Sequence, residues 1–295
     1  MAKPLTPRLQ NIRSIYDARA PTYDHETGPD GFHPRQAADY VKWASPVQGC
    51  KILDLACGTG AIGIACARLA GPSGFVIGVD ISPASLKVAR RKAEKEKVWN
   101  VKFVEGDIAD LVSEWAEKEG IREGMFDVIT CASAFVLVED HPGAVKSWAK
   151  LLKIGGKVIF DVPTGDSMIK GLVLERIAER IGIVRRYTRE GIDSEEKVRA
   201  LLTDAGLDDR EFFVSESYEA GEILRVEGAR NTFDEMVREK KWFRGDELVK
   251  PGMVEKAKEL FCKEIEKIAE GEGQVRSWLR FYVAVGRRLS EIESS

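Results

Sequence analysis

The stretch Ile52-Leu53-Asp54-Leu55-Ala56-Cys57-Gly58-Thr59-Gly60 carries a short apolar run into a glycine turn, and Asp80 follows the last glycine by twenty residues, closing a second apolar run over 75–79. A strand, a glycine turn opening a helix, and an acid about 20 residues further on is how an α/β sheet holds a ribose-bearing ligand across its carboxyl edge. The turn calls for glycine because a Cβ there would keep the ligand off the backbone amides. The acid accepts hydrogen bonds from vicinal ribose hydroxyls.

Gly58-Thr59-Gly60-Ala61-Ile62-Gly63 also matches the dinucleotide fingerprint G-x-G-x-x-G, so the turn alone does not choose between cofactors. Asp54 does. It lies inside the first strand, where a carboxylate would repel a pyrophosphate and attract an amino-acid ammonium. A third acid, Asp107, ends the run Val101-Lys102-Phe103-Val104-Glu105-Gly106, placed to meet the exocyclic amine of adenine. A nucleoside bearing a sulfonium cation fits all three acids.

Strand-like runs at 51–56, 75–80, 101–105, 126–131 and 157–162 alternate with helical patterns at 60–70, 83–97 and 142–152. Such alternation makes a parallel sheet with helices on both faces. Pro83 falls just inside the second helix with Ser82 as its cap, and Gly155-Gly156 ends the helix before the fifth strand. Later, 194–205 reads as a helix closed by Gly206, 211–218 as a strand and 275–287 as the last strand. Two segments repeat apolar residues at helical spacing: Val173, Ile177, Ile181 and Val184, then Val254, Ala257, Phe261, Ile265 and Ile268. The second belongs to an insertion over about 222–274 that also holds Phe233, Met236, Trp242 and Phe243. Beside the cofactor edge such an insertion is a natural substrate lid; core packing and a dimer surface stay open as alternatives.

With these stations in order, the chain resembles the class I S-adenosylmethionine-dependent methyltransferases, in particular the branch of ubiquinone/menaquinone biosynthesis enzymes and their small-molecule relatives. The resemblance rests on Leu53 to Gly60, Gly78-Val79-Asp80-Ile81-Ser82, Glu105-Gly106-Asp107, Phe126-Asp127-Val128-Ile129, and the turn Lys153-Ile154-Gly155-Gly156 leading into the fifth strand. It implies a Rossmann-like, doubly wound, seven-stranded sheet, mostly parallel, with the last strand antiparallel between the fifth and sixth. Residues 1–45 are then an N-terminal helical lid segment, and 46–295 the methyltransferase domain with helical insertions at about 165–190 and 222–274. The implied cofactor is S-adenosylmethionine, leaving S-adenosylhomocysteine.

By the same resemblance Gly58 and Gly60 approach the methionine part, with Ala56 standing where the family places its first glycine. Asp54 meets the amino end, Asp80 the ribose and Asp107 the adenine amine, while Ile81 and Ile108 pack the ring faces. Ser133 lines the transfer zone. Tyr16 and Tyr23 match the aromatic positions of the family's Y-D-x-x-A-x-x-Y-D segment, here Tyr16-Asp17-Ala18-Arg19-Ala20-Pro21-Thr22-Tyr23-Asp24, which folds over the cofactor. Leu137 replaces a histidine that many relatives carry, so the candidates for a proton acceptor are His25, His33 and His141, the last also readable as a helix-cap residue.

With 44% hydrophobic and 32% charged residues among 295, the chain reads as an ordinary soluble globular protein. No apolar run is long enough to span a bilayer and the start lacks a secretory pattern, so a cytoplasmic protein is expected. Five cysteines without paired spacing argue against a disulfide framework or a zinc site, and no metal is expected. Net charge is −3, and the basic run over 87–97 reads as a solvated helix face, so no nucleic-acid partner is expected. The expected partner is a small, hydrophobic or aromatic acceptor bound by a monomer or homodimer. Two other functions stay open: an elimination or pericyclic step beside an unreacted cofactor, and a cofactor-binding module without turnover.

Overall fold

A computed structural model describes residues 4–26, 28, 30–183, 187–239 and 252–290. Val184, Trp242 and Phe243 lie outside the described residues. Helix α1 (Pro7–Arg19) starts on Thr6, whose Oγ1 accepts from the Leu9 amide, with Pro7 supplying the preset φ of a first helical residue. A 3-10 turn (Tyr23–His25) and α2 (Phe32–Ala44) complete the N-terminal segment. Alternation follows: β1 (Lys51–Leu55), α3 (Ala61–Ala70), β2 (Phe75–Asp80), α4 (Pro83–Lys95), β3 (Val101–Glu105), α5 (Glu114–Glu119), β4 (Phe126–Cys131), α6 (His141–Leu151) and β5 (Leu152–Pro163). Ser82 caps α4 as expected, its Oγ accepting from the Ser85 amide.

The second half supplies α7 (Ile169–Ile177), α8 (Glu195–Asp204), β6 (Phe213–Val214), β7 (Glu222–Arg225), α9 (Ala229–Glu239), α10 (Met253–Ala269), β8 (Gln274–Ser277) and β9 (Phe281–Arg287). The main sheet has seven strands in the order β3-β2-β1-β4-β5-β9-β6. Only β9 runs against its neighbours, pairing antiparallel with β5 and β6. This is the Rossmann-like, doubly wound architecture with an antiparallel last strand that the motifs implied. Alternate residues of one strand feed opposite cores: Leu53, Leu55 and Ile77 pack on one face, Ile52, Val76 and Ile159 on the other. The strand order reverses between β1 and β4, which opens a crevice at their carboxyl ends.

Several boundaries differ from the sequence reading, each for a local reason. Gly155-Gly156 does not end α6, which stops at Leu151 as β5 begins. The glycines lie where the β4–β5 register jumps from Phe126↔Leu152 to Val128↔Lys157. Gly155 there has φ +83°, and a Cβ on Gly156 would stand 2.8 Å from the Phe126 carbonyl. The strand expected over 211–218 shrinks to Phe213–Val214. The one expected over 275–287 divides at Trp278, whose amide and carbonyl bond Asp166 and Met168 and draw the chain away from the sheet. Its first part, β8, pairs instead with β7 in a separate two-stranded sheet.

The two insertions pack on each other. Ile169, Val173 and Ile177 of α7, Phe233 and Met236 of α9, and Phe261 and Ile265 of α10 form a third buried core.

Candidate active site

The glycine turn, Asp80 and Asp107 converge on one cavity of about 230 Å³ at the carboxyl edge of the sheet. Ala56, Gly58 and Thr59 reach it from β1, Asp80 and Ile81 from β2, Asp107 and Ile108 from β3, and Ala132, Ser133 and Ala134 from β4. A Cβ built on Gly58 meets nothing within 4 Å, so the backbone there is bare toward open space. Gly60 is different. It lies outside the lining, and a Cβ on it would stand 2.9 Å from the Phe103 ring and 3.0 Å from Ala89, so packing fixes that glycine. Ala56 holds φ +50°, a left-handed conformation that suits the glycine it replaces.

Asp80 ties the turn to the second strand. Its Oδ2 accepts from the Gly58 amide and its Oδ1 from the Ser82 amide, both at 2.8 Å. Burial pushes its carboxyl up to about 6 against the pull of those amides. Asp54 is also buried but sits behind the turn, outside the lining, with Oδ1 accepting from Thr130 Oγ1 at 2.8 Å. Its Oδ2 has no hydrogen-bond partner, and desolvation lifts this carboxyl to about 7. Asp107 lines the cavity while its Oδ1 accepts from the Ala109 amide at 2.9 Å.

The N-terminal segment closes the other side with Leu9, Ile12, Tyr16 and Tyr23. Two carboxylates fasten it. Asp17 accepts from Ser82 Oγ at 2.7 Å and the Ala84 amide at 3.2 Å. Asp24 accepts from Thr59 Oγ1 at 2.5 Å and Lys92 Nζ at 3.0 Å. Tyr16 and Tyr23 stand 6.5 Å apart, with the Arg19 guanidinium 5.4 and 5.1 Å from their ring centres and paired to Glu26.

None of the three histidines lines the cavity. His33 comes nearest by contact, stacked on Tyr23 at 4.6 Å with Nδ1 3.5 Å from the phenol oxygen. His25 is exposed in the 3-10 turn. His141 is the first residue of α6, buried against Phe135 and held below the usual imidazole range by burial.

Sequence reasoning passed over a buried network beneath the cavity floor. Ser133, at φ +52°, donates its amide to both oxygens of Asp161 at 3.1 and 3.0 Å and its hydroxyl to Gln36 Oε1 at 2.8 Å. Tyr40 donates to Asp161 Oδ2 at 2.5 Å, and burial lifts the Asp161 carboxyl to about 6. The signal was present: an acid at the end of a fifth apolar strand, with Gln36 and Tyr40 four apart on one helix face. Asp17 and Asp24 carried one too, each following one of the two tyrosines.

This fold defines a Rossmann-like α/β protein whose cavity lies at the switch point of its sheet, where sheets of this kind bind their ligands. Residues 46–206 match the family described as Methyltransferase domain, and the chain belongs to that family, as an S-adenosylmethionine-dependent methyltransferase of the small-molecule type. It is 26% identical over 223 residues to the ubiquinone/menaquinone biosynthesis C-methyltransferase UbiE of Pseudomonas putida (strain W619), spanning 70% of this chain and 84% of that one. To the aklanonic acid methyltransferase DauC of Streptomyces sp. (strain C5) it is 29% identical over 154 residues, 52% of this chain and 66% of that one. The crystal structure of the 4+2 cyclase SpnF superposes with a TM-score of 0.58 at 16% identity, covering 99% of this chain and 100% of that one. At that identity the likeness is one of fold. No helix among the described residues is long and apolar enough to cross a membrane.

Proposed function

We propose that this chain moves the methyl group of S-adenosylmethionine onto a small hydrophobic or aromatic acceptor. The observation that carries the proposal is the cavity itself, where cofactor-type stations on the sheet edge face a cover built largely from apolar side chains. The bare backbone at Gly58 and the buried acid at Asp80 suit an adenosine ligand. The names of relatives, a ubiquinone/menaquinone biosynthesis C-methyltransferase and an aklanonic acid methyltransferase, support a small-molecule acceptor.

When bound, the cofactor supplies an electrophilic methyl on a sulfonium; the protein's share is alignment and a dry site. Gly58 and Ala56 offer backbone to the methionine portion. Asp80 takes the ribose hydroxyls and Asp107 the adenine amine, while Ile81 and Ile108 cover the ring. Asp54 acts on the amino end through the turn, from behind it. Holding reactants in near-attack geometry contributes on the order of 7 to 11 kcal/mol, against a factor of roughly 10² to 10⁴ from a general base. Alignment therefore dominates, in keeping with a cavity that no histidine lines.

The test is incubation with methyl-labelled cofactor and a panel of hydroquinones, phenols and amines, followed by product mass. A gain of one CH₂ on a cyclic hydrophobic acceptor is expected. Rearrangement or elimination at unchanged cofactor would contradict methyl transfer.

A further inference from the structure

One face of α2 carries His33, Gln36 and Tyr40 at helical spacing, and together they tie the cover of the cavity to the end of β4. The His33 ring stacks on Tyr23, which lines the cavity from the N-terminal side. Gln36 accepts from the Ser133 hydroxyl through Oε1 at 2.8 Å and donates to Asp161 Oδ2 through Nε2 at 3.2 Å. Tyr40 donates to the same Asp161 oxygen at 2.5 Å and reaches the Cys131 carbonyl at 3.1 Å. Gln36, Tyr40 and Asp161 are all buried, and none of the three lines the cavity.

What they hold is strained. Ser133 lines the cavity with its backbone at φ +52°, a left-handed conformation that an L-residue keeps only where its surroundings impose it. Its amide donates to both Asp161 oxygens at 3.1 and 3.0 Å and its hydroxyl to Gln36, so the residue is fixed from behind the wall it forms. On the cofactor reading above, adenine lies at β3 and ribose at β2. Along the order β3-β2-β1-β4 the sulfur end then points toward β4, and residues 132–134 form the wall beside the methyl group.

We infer that Asp161 is a positioning residue for methyl transfer: acting through Ser133, and joined to α2 by Gln36 and Tyr40, it sets the wall against which the acceptor meets the methyl group. The inference rests on the cofactor reading and adds to it a residue that touches neither cofactor nor acceptor. Misplacing a reacting group by about 1 Å costs up to about 10²-fold in rate, whereas the adenosine stations on β1, β2 and β3 lie outside this network. Loss of Asp161 therefore acts on kcat and spares cofactor affinity.

The test compares full-length Asp161→Asn and Gln36→Ala with wild type, each below its melting temperature, on the hydroquinone, phenol or amine that wild type methylates fastest. Asp161→Asn is expected to lower kcat about 10- to 100-fold and Gln36→Ala about three- to tenfold, with the calorimetric Kd for S-adenosylhomocysteine within about twofold in both. Ser133→Gly added to Asp161→Asn is expected to recover kcat at least about threefold, because glycine holds a left-handed backbone unaided. Should Asp161→Asn fail to fold, Gln36→Ala with and without Ser133→Gly carries the same comparison. Unchanged kcat, parallel losses in kcat and cofactor affinity, or no recovery with glycine overturns the inference and leaves methyl transfer standing. A wild type that binds S-adenosylhomocysteine yet methylates none of these acceptors contradicts the proposed function, and the inference falls with it.

Discussion

In the proposed function Asp80 takes the ribose while its two oxygens already hold the amides of Gly58 and Ser82, so one substitution there tests binding and stability together. Asp80→Asn retains the shape but loses the charge and one acceptor. It should weaken S-adenosylhomocysteine at least about tenfold and cost about 1–3 kcal/mol of stability, read by calorimetry and denaturant unfolding. Affinity unchanged within error would remove Asp80 from the ribose. The buried carboxyls also set a pH dependence. Asp80 and Asp161 are raised to about 6 and Asp54 to about 7, so the folded state binds protons that the unfolded chain has released. The stability they contribute is complete below about pH 4 and is lost as pH rises through 6 to 7. His141, lowered by burial, acts in the opposite sense over part of that range, but as one group against three. The ligand-free melting temperature should therefore fall between about pH 5 and 7.5, and Asp54→Asn should flatten the fall. A melting temperature that rises over this interval would contradict the burial of these acids. Ala56→Gly relieves a left-handed alanine and should raise stability by about 0.5 kcal/mol, the difference between that strain and the extra freedom of glycine when unfolded.

Among the elements, the N-terminal segment is held against the cavity by side-chain bonds: Arg8 to the Leu137 carbonyl, Arg13 to Glu105, Asp17 to Ser82, and Asp24 to Thr59 and Lys92. Asp24→Asn removes the carboxylate shared by Thr59 and Lys92 and should speed release of bound S-adenosylhomocysteine by about tenfold in stopped-flow displacement, with the sheet intact. An unchanged release rate would mean that the Asp24 contacts do not govern release and that the segment's other bonds and apolar packing hold it. In the third core, Phe261→Ala should cost about 3–5 kcal/mol locally. Hydrogen exchange should quicken in α7, α9 and α10 and stay slow in β1, β4 and β5. The elements legible from sequence were those whose own residues dictate them: Ser82-Pro83 at α4, the apolar period of α10, the glycine turn after β1. Those missed depend on distant partners. β6 is short because its pairing with β9 slips out of register after Val214: the Ser215 amide bonds the Phe281 carbonyl, but Tyr218, not Ser217, bonds the Leu279 carbonyl. β8 leaves the main sheet because Asp166 and Met168 hold Trp278. No local pattern announces either.

For the whole molecule, the seven-stranded order was legible only through resemblance, since alternation predicts a parallel sheet but says nothing of where an antiparallel last strand inserts. The candidate site divides the same way. Asp80, Asp107, Gly58 and Ser133 came from strand ends, which a doubly wound sheet necessarily gathers at one edge. Asp54 and Gly60 came from the same stretch yet stand behind the turn, because strand periodicity and turn packing aim them inward. Gln36, Tyr40 and Asp161 meet across more than a hundred residues, a distance over which sequence carries no register. The central claim is that one adenosine lies across this edge, and a crystal structure with S-adenosylhomocysteine tests it. Asp80 should accept from both ribose hydroxyls, Asp107 should accept from the adenine amine, and the thioether sulfur should lie beside Tyr16 and Tyr23. An adenosine seated elsewhere, or turned so that these carboxylates face no polar atom of it, would contradict the claim.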